Sequence, residues 1–421
     1  MQRPSPWLMS VVLLLGIVLL REPRFAQAED LFLRWLLDHS EAETHPPVAL
    51  TVIEIARDSL VEPASAPGTP RLSAPAKRAS AAAASPLEFA LFLQAVIEFQ
   101  PGVVAFENIV RWRDRDKDQE QVFLDQAMRV PKLLLASELS NTAELDEPWA
   151  NILGFAQITG KRGDLATFSG MARQPNEDLR LISTAGFTNL PDEISSGIRV
   201  PLLFLYRGEV IPSFALQAIM LWLRITPAEV KIALGSHIEL PQGRRIPVDS
   251  DGTLLVDPNA SFHAHHLTLN ELLFAAQQRD RGGTPSPQLT NIRGNLVLAR
   301  LPDNPLSPPD PFTATIATIQ GNKYLRRVSP IFDCAILLVV SASLGAAQRF
   351  DRADLVLGGI AFTAVYCLVA LALIARFSVW LPALLPLGAL WILIVAVVFL
   401  SRKTPEIAAA SEPLAVPPSV A

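Results

Sequence analysis

Apolar segments at both ends of the chain constrain its fold more than any other feature. Residues 7–20 form the first segment, and three more occupy residues 331–347, 355–375 and 380–400. Segments of this length and hydropathy are typical of helices that cross a bilayer. The sequence therefore predicts one N-terminal and three C-terminal transmembrane helices around a long, water-compatible domain.

The distribution of basic residues predicts which side of the membrane this domain occupies, because Lys and Arg near membrane ends tend to stay cytoplasmic. Arg349 and Arg352 separate the second and third segments, and two further basic residues follow the last segment. Two arginines after the first segment oppose this orientation, but the pattern of the three later segments is given more weight. We expect a multi-pass protein of the cytoplasmic membrane whose main domain, residues 29–330, is extracytoplasmic.

The first apolar segment permits two interpretations. Its 14 residues correspond to about 21 Å of helix, which is short for a span and long enough for the core of a signal peptide. Ala26-Gln27-Ala28 resembles a cleavage site, but a charged stretch from Arg21 to Arg24 precedes it. An uncleaved anchor within residues 1–28 is preferred, and a cleaved signal peptide is the alternative; either would export the following domain.

Composition and motifs exclude several functional classes. The net charge of −5 and the lack of a basic stripe argue against nucleic-acid binding. The two cysteines, Cys334 and Cys367, both lie in apolar segments, so the exported domain must be stabilised by its hydrophobic core without disulfides. No nucleotide-binding loop or serine nucleophile motif occurs, and we expect no enzymatic activity and no cofactor.

Alternating strand and helix patterns define the first half of the exported domain. The pattern predicts strands at 48–55, 102–106 and 132–137 and helices at 89–99 and 118–128. This alternation predicts an α/β fold with a largely parallel or mixed sheet flanked by helices. Residues 62–85 are rich in Pro, Ala and Ser and are expected to form a flexible insertion.

The second half of the domain has more mixed signals. A helix is predicted at 212–223, with Pro212 near its start, where a missing N–H costs little. Short strands are expected within 238–256. Thr268 and Glu271 form the sequence pattern of a capping box ahead of another helix. A strand at 296–299 and a closing helix at 314–325 complete the prediction.

Five short motifs occur in a characteristic order before the final apolar segments. They lie at 53–60, 101–110, 185–202, 211–218 and 293–299. The most specific run contains Gly186-Phe187, Asn189, Asp192, Gly197 and Arg199, and the final segment contains Pro382 and Pro386. Over nearly the whole chain, this order resembles the CHASE2 family of bacterial extracytoplasmic sensor domains.

The resemblance implies an exported ligand-sensing module whose signal passes through its spans to a cytoplasmic output, often a nucleotide cyclase or a kinase. Residues 401–421 are rich in Pro and Ala and are expected to form a short disordered cytoplasmic tail, which places any output in a separate protein. The chain departs from the family pattern at Ile55-Ala56-Arg57, at Glu107 and at Ala299. These departures weaken the expectation of a family-type ligand site.

Three acidic residues are candidate ligand-binding residues. Glu54, Asp58 and Glu107 lie at or just beyond the carboxyl ends of predicted strands, where open α/β sheets bind their ligands. Carboxylates there can bind a cation or act as an acid and a base. The alternative is that they cap helices or accept hydrogen bonds from loop amides.

Other polar groups favour structural interpretations. On a strand, His263 and His265 would share a face and His266 would not, and two imidazoles do not make a metal site without further ligands, so no metal is predicted. Residues 111–118 are expected to form a solvated loop, from which Trp112 could contact a partner or the membrane interface. Asp333 is interpreted as a helix-end carboxylate.

Small residues at 341–347 favour close helix packing, either within the chain or in a homodimer.

Together, these features predict a membrane-anchored extracytoplasmic sensor-type protein that relays ligand or partner binding through its transmembrane helices to a separate cytoplasmic signalling protein. The alternatives are an envelope structural or interaction protein that keeps the fold without sensing and, less favoured, an envelope hydrolase that uses the acidic residues at the strand ends.

Overall fold

A computed structural model describes residues 18, 23–39, 48–55, 85–112, 117–142, 152–190, 198–282, 289, 291–301, 310–346 and 352–400. The chain divides into two compact units. The sheet unit comprises Arg34–Arg326 and Ile374–Val379, and the terminal unit comprises Met1–Leu33, Arg327–Leu373 and Trp380–Ala421. Most of the first apolar segment, residues 62–84 of the predicted insertion and the predicted tail lie outside the described residues.

The described residues form helices throughout the chain. These are α1 (Pro23–His39), α2 (Pro86–Glu98), α3 (Lys117–Ala127), α4 (Glu177–Ile182), α5 (Phe214–Leu223), α6 (Leu269–Asp280), α7 (Pro311–Gly321), α8 (Pro330–Ala346), α9 (Arg352–Phe377) and α10 (Leu384–Leu400). The sequence Ala26-Gln27-Ala28, which resembles a cleavage site, lies within α1.

Strands occur mainly in the sheet unit. They are β1 (Leu50–Glu54), β2 (Val103–Phe106), β3 (Leu133–Ser140), β4 (Gln157–Thr159), β5 (Thr167–Phe168), β6 (Gly170–Arg173), β7 (Thr184–Phe187), β8 (Arg199–Pro201), β9 (Leu203–Tyr206), β10 (Glu209–Pro212), β11 (Lys231–Ala233), β12 (His237–Glu239), β13 (Arg245–Pro247), β14 (Thr253–Leu255), β15 (His265–Thr268), β16 (Leu296–Arg300), β17 (Arg326–Arg327) and β18 (Val379–Trp380).

A seven-stranded sheet forms the centre of the sheet unit. Its strand order is β15-β1-β16-β2-β3, and both β6 and β7 pair with β3. The pairs are parallel except for β3 with β6, which is antiparallel. The prediction of an α/β fold with a largely parallel or mixed sheet is therefore confirmed for this unit.

Helices cover both faces of the sheet, which explains why its strands are apolar on both sides. On the first face, side chains such as Val52 and Leu298 pack in one core with Phe214 of α5 and Phe312 of α7. On the second face, a separate core contains residues from α2, α3 and α6, together with Phe106 of β2. Burying both faces provides the hydrophobic core that the absence of disulfides requires.

Three smaller sheets complete the unit. They contain β5 with β9 and β10, β4 with β11 to β13, and β8 with β14, and most of their pairs are antiparallel. Between β9 and β10, Arg207 and Gly208 both have positive φ, at 50° and 88°. Such a two-residue turn matches the right-handed twist of a hairpin.

Local capping patterns determine where two helices begin. The predicted capping box is confirmed: the Glu271 N–H donates to Thr268 Oγ1 at 3.2 Å, and the Thr268 N–H donates to Glu271 Oε2 at 2.7 Å. Ser85 and Glu88 form a second box at the start of α2. Ser85 is therefore a helix cap, and assigning it to the flexible insertion was wrong.

The predicted boundaries of two helices were also wrong. Pro212 pairs with Leu203 as the last residue of β10, so α5 begins only at Phe214. α7 begins at Pro311, because Asp310 caps it, and it ends before Asn322, whose φ of 53° is incompatible with a continuing helix.

Two glycines allow a close approach of two turns beside the main sheet. A Cβ atom at Gly102 would lie 2.4 Å from the carbonyl oxygen of Gly294. The Gly102 N–H donates to the Asn295 oxygen at 2.8 Å, and the Gly294 N–H donates to the Gln100 oxygen at 2.9 Å. Gly294 also has a φ of 74°, which favours glycine.

The terminal unit contains α8, most of α9, and α10. Within the described residues, one helical segment, Ala353–Phe377, is long and apolar enough to cross a membrane, while Ile331–Val340 and Leu384–Val395 are shorter apolar segments. The predicted number of spans is therefore not confirmed. The last segment, predicted at 380–400, becomes helical only at Leu384, because Pro382 disfavours a helical conformation at the residue before it.

Candidate functional site

Three neighbouring parallel strands place charged residues at one edge of the main sheet. Glu54 ends β1 and is in register with Arg300, which ends β16. Glu107 directly follows β2, and its N–H donates to the carbonyl oxygen of Ala299 at 3.2 Å. Because side chains alternate along a strand, these three residues share the first face with Val52 and Leu298. The sheet thus brings a guanidinium and two carboxylates to the carboxyl ends of adjacent strands.

A fourth charged residue comes from the helix that covers this face. Asp310 is the N-cap of α7, where Asp followed by Pro is a favourable helix start. Its Oδ1 accepts the Phe312 N–H at 2.9 Å, and its Oδ2 accepts the Thr313 hydroxyl. The same Oδ2 lies 3.7 Å from Arg300 Nη1. We refer to Glu54, Glu107, Arg300 and Asp310 as the rim cluster.

Three of the four residues of the rim cluster are buried. Arg300 is 6% exposed, and Glu107 and Asp310 are each 2% exposed. Burying an ionised group is costly unless opposite charges or hydrogen bonds compensate it, so the proximity of Arg300 to Asp310 is a requirement for this packing. Glu54 is half-buried and gives the cluster access to solvent.

The structure brings together two of the three predicted site residues. Glu54 and Glu107 lie at the same edge and on the same face of the sheet, as their positions at strand ends predict. Asp58 lies outside the described residues. Ligand binding by these carboxylates stays a prediction.

Sequence reasoning missed Arg300 and Asp310. The strand was predicted to end at 299 and the helix to begin at 314, so neither charged residue was assigned to an element. The Asp310-Pro311 pair was a usable signal, because Asp is a preferred N-cap and Pro a preferred first helical residue. The pairing of Arg300 with Asp310 depends on tertiary structure and has no sequence signal.

The histidines at 263–266 have separate environments. His263 ends the 3₁₀-helix Pro258–His263, so the predicted shared strand face does not exist. Burial lowers the pKa of His263, and the nearby Lys323 charge lowers that pKa further. The Asn291 amide lies 2.8 Å from His265 Nε2, and His266 Nε2 donates to the Ser261 oxygen at 3.0 Å. No group of three or more His, Cys, Asp or Glu within the described residues is placed to hold a metal ion.

Two other residues singled out in the sequence belong to packed structure. Trp112 contacts the rings of Phe123 and Phe89, with centroid separations of 5.0 and 5.9 Å, and adds to the core of the second face. Asp333 lies in the first turn of α8, as expected of a helix-end carboxylate, but it is fully buried and lies 3.2 Å from Arg327.

The rim cluster therefore combines the half-buried carboxylate of Glu54 with the buried pair of Arg300 and Asp310. A ligand with a positive or hydrogen-bond-donating group could bind Glu54, and a change at Arg300 would be transmitted directly to the cap of α7. Comparison of the chain with protein-family models, curated proteins and solved structures finds no match.

Proposed function

We propose that this chain is a membrane-anchored extracytoplasmic sensor-type protein that relays ligand or partner binding to a separate signalling protein. The rim cluster is the observation that carries this proposal. It lies at the carboxyl ends of parallel strands, where open α/β sheets commonly bind ligands, and it combines a buried ion pair with the half-buried Glu54. The resemblance to the CHASE2 family points to the same function.

The membrane placement is supported by the composition of the terminal unit. Ala353–Phe377 has 25 residues, about 38 Å of helix, which exceeds the roughly 30 Å hydrocarbon core of a bilayer. Large apolar side chains on this helix, including Leu357 and Leu368, are exposed and therefore available to lipid. α8 and α10 have 17 residues each, at the lower limit for a span. We propose that they are the second and fourth membrane spans.

The connection between the rim and the spans suggests how binding could be relayed. Asp310 in the rim cluster caps α7, and the next helix along the chain after α7 is α8. A ligand that changes the position of Arg300 alters the charge beside the α7 cap. A ligand shifts a domain between two conformations only if it binds one of them more tightly. The contact between Arg300 and Asp310 is an interaction that can differ between two such conformations.

The proposal can be tested by cross-linking and affinity purification of the tagged full-length protein from its native membrane. A cytoplasmic kinase, cyclase or regulator should be recovered with the intact chain and lost when the chain ends after Arg349. Glu54→Gln should change its recovery several-fold. Glu239→Gln, which neutralises an acid in the surface pair with Arg245, should leave the recovery unchanged.

Recovery of envelope proteins alone, held equally by the intact and shortened chains, would contradict the sensor function. That result would favour the alternative of an envelope interaction protein that keeps the fold without sensing. Catalytic turnover that Glu54→Gln or Glu107→Gln abolishes would instead favour the envelope hydrolase.

A further inference from the structure

The first turn of α10 is capped by a side chain from the other end of the chain. Glu29 of α1 accepts hydrogen bonds through Oε1 from the Leu384 and Leu385 N–H groups, at 2.8 and 3.2 Å. Its Oε2 accepts the Ala383 N–H at 3.2 Å, across a sequence separation of 354 residues. Glu29 is 3% exposed. All of these contacts lie within the terminal unit.

The sequence before α10 explains why a distant cap is needed. The first N–H groups of a helix have no partner within the helix, and Ser, Thr, Asp or Asn normally accepts one of them. Ala383 occupies the position before α10 and has no side-chain acceptor. Pro386 has no N–H, and the Leu387 N–H donates to the Ala383 oxygen at 3.0 Å. Glu29 therefore accepts the three N–H groups that would otherwise need another acceptor.

The charge of a carboxylate suits this position. The amino end of a helix carries a partial positive charge that stabilises a nearby anion. Burial raises the pKa of Glu29 overall, while the hydrogen bonds from the three N–H groups and the nearby Arg327 guanidinium oppose this shift and favour the ionised form. The uncharged form would still offer oxygens to the same N–H groups.

The segment that leads into α10 is fixed by two further contacts in the terminal unit. The Val328 N–H donates to the Trp380 oxygen at 3.0 Å. The Tyr366 hydroxyl of α9 donates to the Pro382 oxygen. Glu29, Val328 and Tyr366 thus hold the start of α10 from three different parts of the chain.

The carboxyl-terminal end of α1 is held within the sheet unit. The boundary between the two units falls within this helix, after Leu33. Asn259 Nδ2 donates to the Leu37 oxygen at 3.2 Å, and both residues belong to the sheet unit. The contact at Leu37 and the capping contact of Glu29 therefore belong to different units.

We propose that Glu29 is a positioning residue whose capping contact fixes the amino-terminal half of α1 to the start of α10 within the terminal unit. This inference goes beyond the proposed function and does not depend on it.

Hydrogen exchange of the full-length protein in lipid nanodiscs, measured by mass spectrometry, tests this proposal. In Glu29→Ala, the amides of Ala383, Leu384 and Leu385 should exchange about tenfold faster, because they lose their acceptor. Glu29→Gln keeps the side-chain shape and one neutral oxygen, and it should cause a smaller increase, about threefold. Asp354→Asn removes an exposed carboxylate from the first turn of α9 and should leave exchange at 383–385 unchanged.

Unchanged exchange at 383–385 in both Glu29 variants would overturn the capping role. A uniform increase that includes β1 and β16 in Glu29→Gln would indicate general destabilisation and would also overturn it. None of these results depends on recovering a signalling partner, so they are distinguishable from failure of the proposed function.

Discussion

The rim cluster of the sheet unit and the region around Glu29 in the terminal unit use similar charged groups in different ways. Each contains an arginine beside an aspartate at a helix start: Arg300 and Asp310 are 3.7 Å apart, and Arg327 and Asp333 are 3.2 Å apart. Asp310 caps its own helix. The start of α10, in contrast, is capped by Glu29, which comes from the opposite end of the chain.

This difference reflects the composition of the two regions. Three helices of the sheet unit, α2, α6 and α7, follow Ser85, Thr268 and Asp310, so their caps are local. α10 follows an apolar segment, Trp380-Leu381-Pro382-Ala383, that contains no such residue. An apolar segment has few polar side chains, so the helix that follows it obtains its acceptor by tertiary contact.

The largest expected effect comes from removing the buried guanidinium of the rim cluster. Arg300→Met should destabilise the protein by about 3–5 kcal/mol, because the buried Asp310 carboxylate would lose its paired guanidinium. Arg245→Met, which breaks the exposed pair with Glu239, should cost less than about 1 kcal/mol. Urea unfolding of the detergent-solubilised full-length protein, followed by tryptophan fluorescence, measures both. Equal effects of the two substitutions would show that the rim cluster is not a buried charge site.

A smaller effect is expected for the corresponding arginine of the terminal unit. Arg327→Met should cost about 1–3 kcal/mol, because Asp333 is buried but the Arg327 side chain is 37% exposed. Adding Asp333→Asn to the Arg327→Met variant should restore more than half of the lost stability, because the unpaired carboxylate charge of Asp333 is then removed. The same unfolding measurement applies, and a double variant no more stable than Arg327→Met would contradict the pairing.

Local capping should have a moderate effect in the sheet unit. Thr268→Ala should destabilise the protein by about 1 kcal/mol, because α6 loses the hydroxyl that accepts the Glu271 N–H. Thr268→Ser keeps the hydroxyl and should be nearly neutral. If Thr268→Ser costs as much as Thr268→Ala in urea unfolding, the lost stability comes from the threonine methyl group and not from the cap.

The smallest expected effect is a pH dependence at Asp257. Burial raises the pKa of Asp257 above its ordinary value of 3.8, and the nearby Asp38 adds to this shift, although the Asn259 N–H opposes it. Because the folded protein holds this proton more tightly, the resulting stability is fully present below pH 3.8 and is lost as pH rises through the raised pKa.

Asp257→Asn should therefore gain stability relative to the unsubstituted protein as pH increases from 4 to 7, while its amide oxygen still accepts the Asn259 N–H. Asp164→Asn, at an exposed position, is the matched control. Unfolding free energies at several pH values measure this effect. A stability gain that shrinks with rising pH would mean that Asp257 is not destabilised by burial.

The main sheet could be predicted from the sequence because its signals are local. Runs of β-branched and apolar residues identify β1, β2 and β16, and the alternation with helices identifies their parallel pairing. Glu54 and Glu107 could be assigned to one edge for the same reason. Arg300 and Asp310 were missed because their pairing joins two elements whose boundaries were placed incorrectly.

The terminal unit was less predictable, because hydropathy identifies apolar segments but not their helix boundaries or tertiary contacts. Hydropathy at 380–400 did not indicate that the helix begins at Leu384, although Pro382 was a usable signal. Glu29 had no sequence signal, since acidic residues shortly after an apolar segment are ordinary. Contacts between residues separated by 354 positions depend on the folded structure.

The close approach at Gly102 and Gly294 has a consequence for identifying related chains. A Cβ atom at Gly102 would contact backbone, which cannot move aside as a flexible side chain can, and Gly294 has a positive φ. A protein that preserves this pair of turns is expected to keep glycine at both positions even after most other residues have changed. Two glycines, one before the second strand and one before the last strand of the main sheet, therefore provide a criterion for distant relatives that is independent of overall sequence similarity.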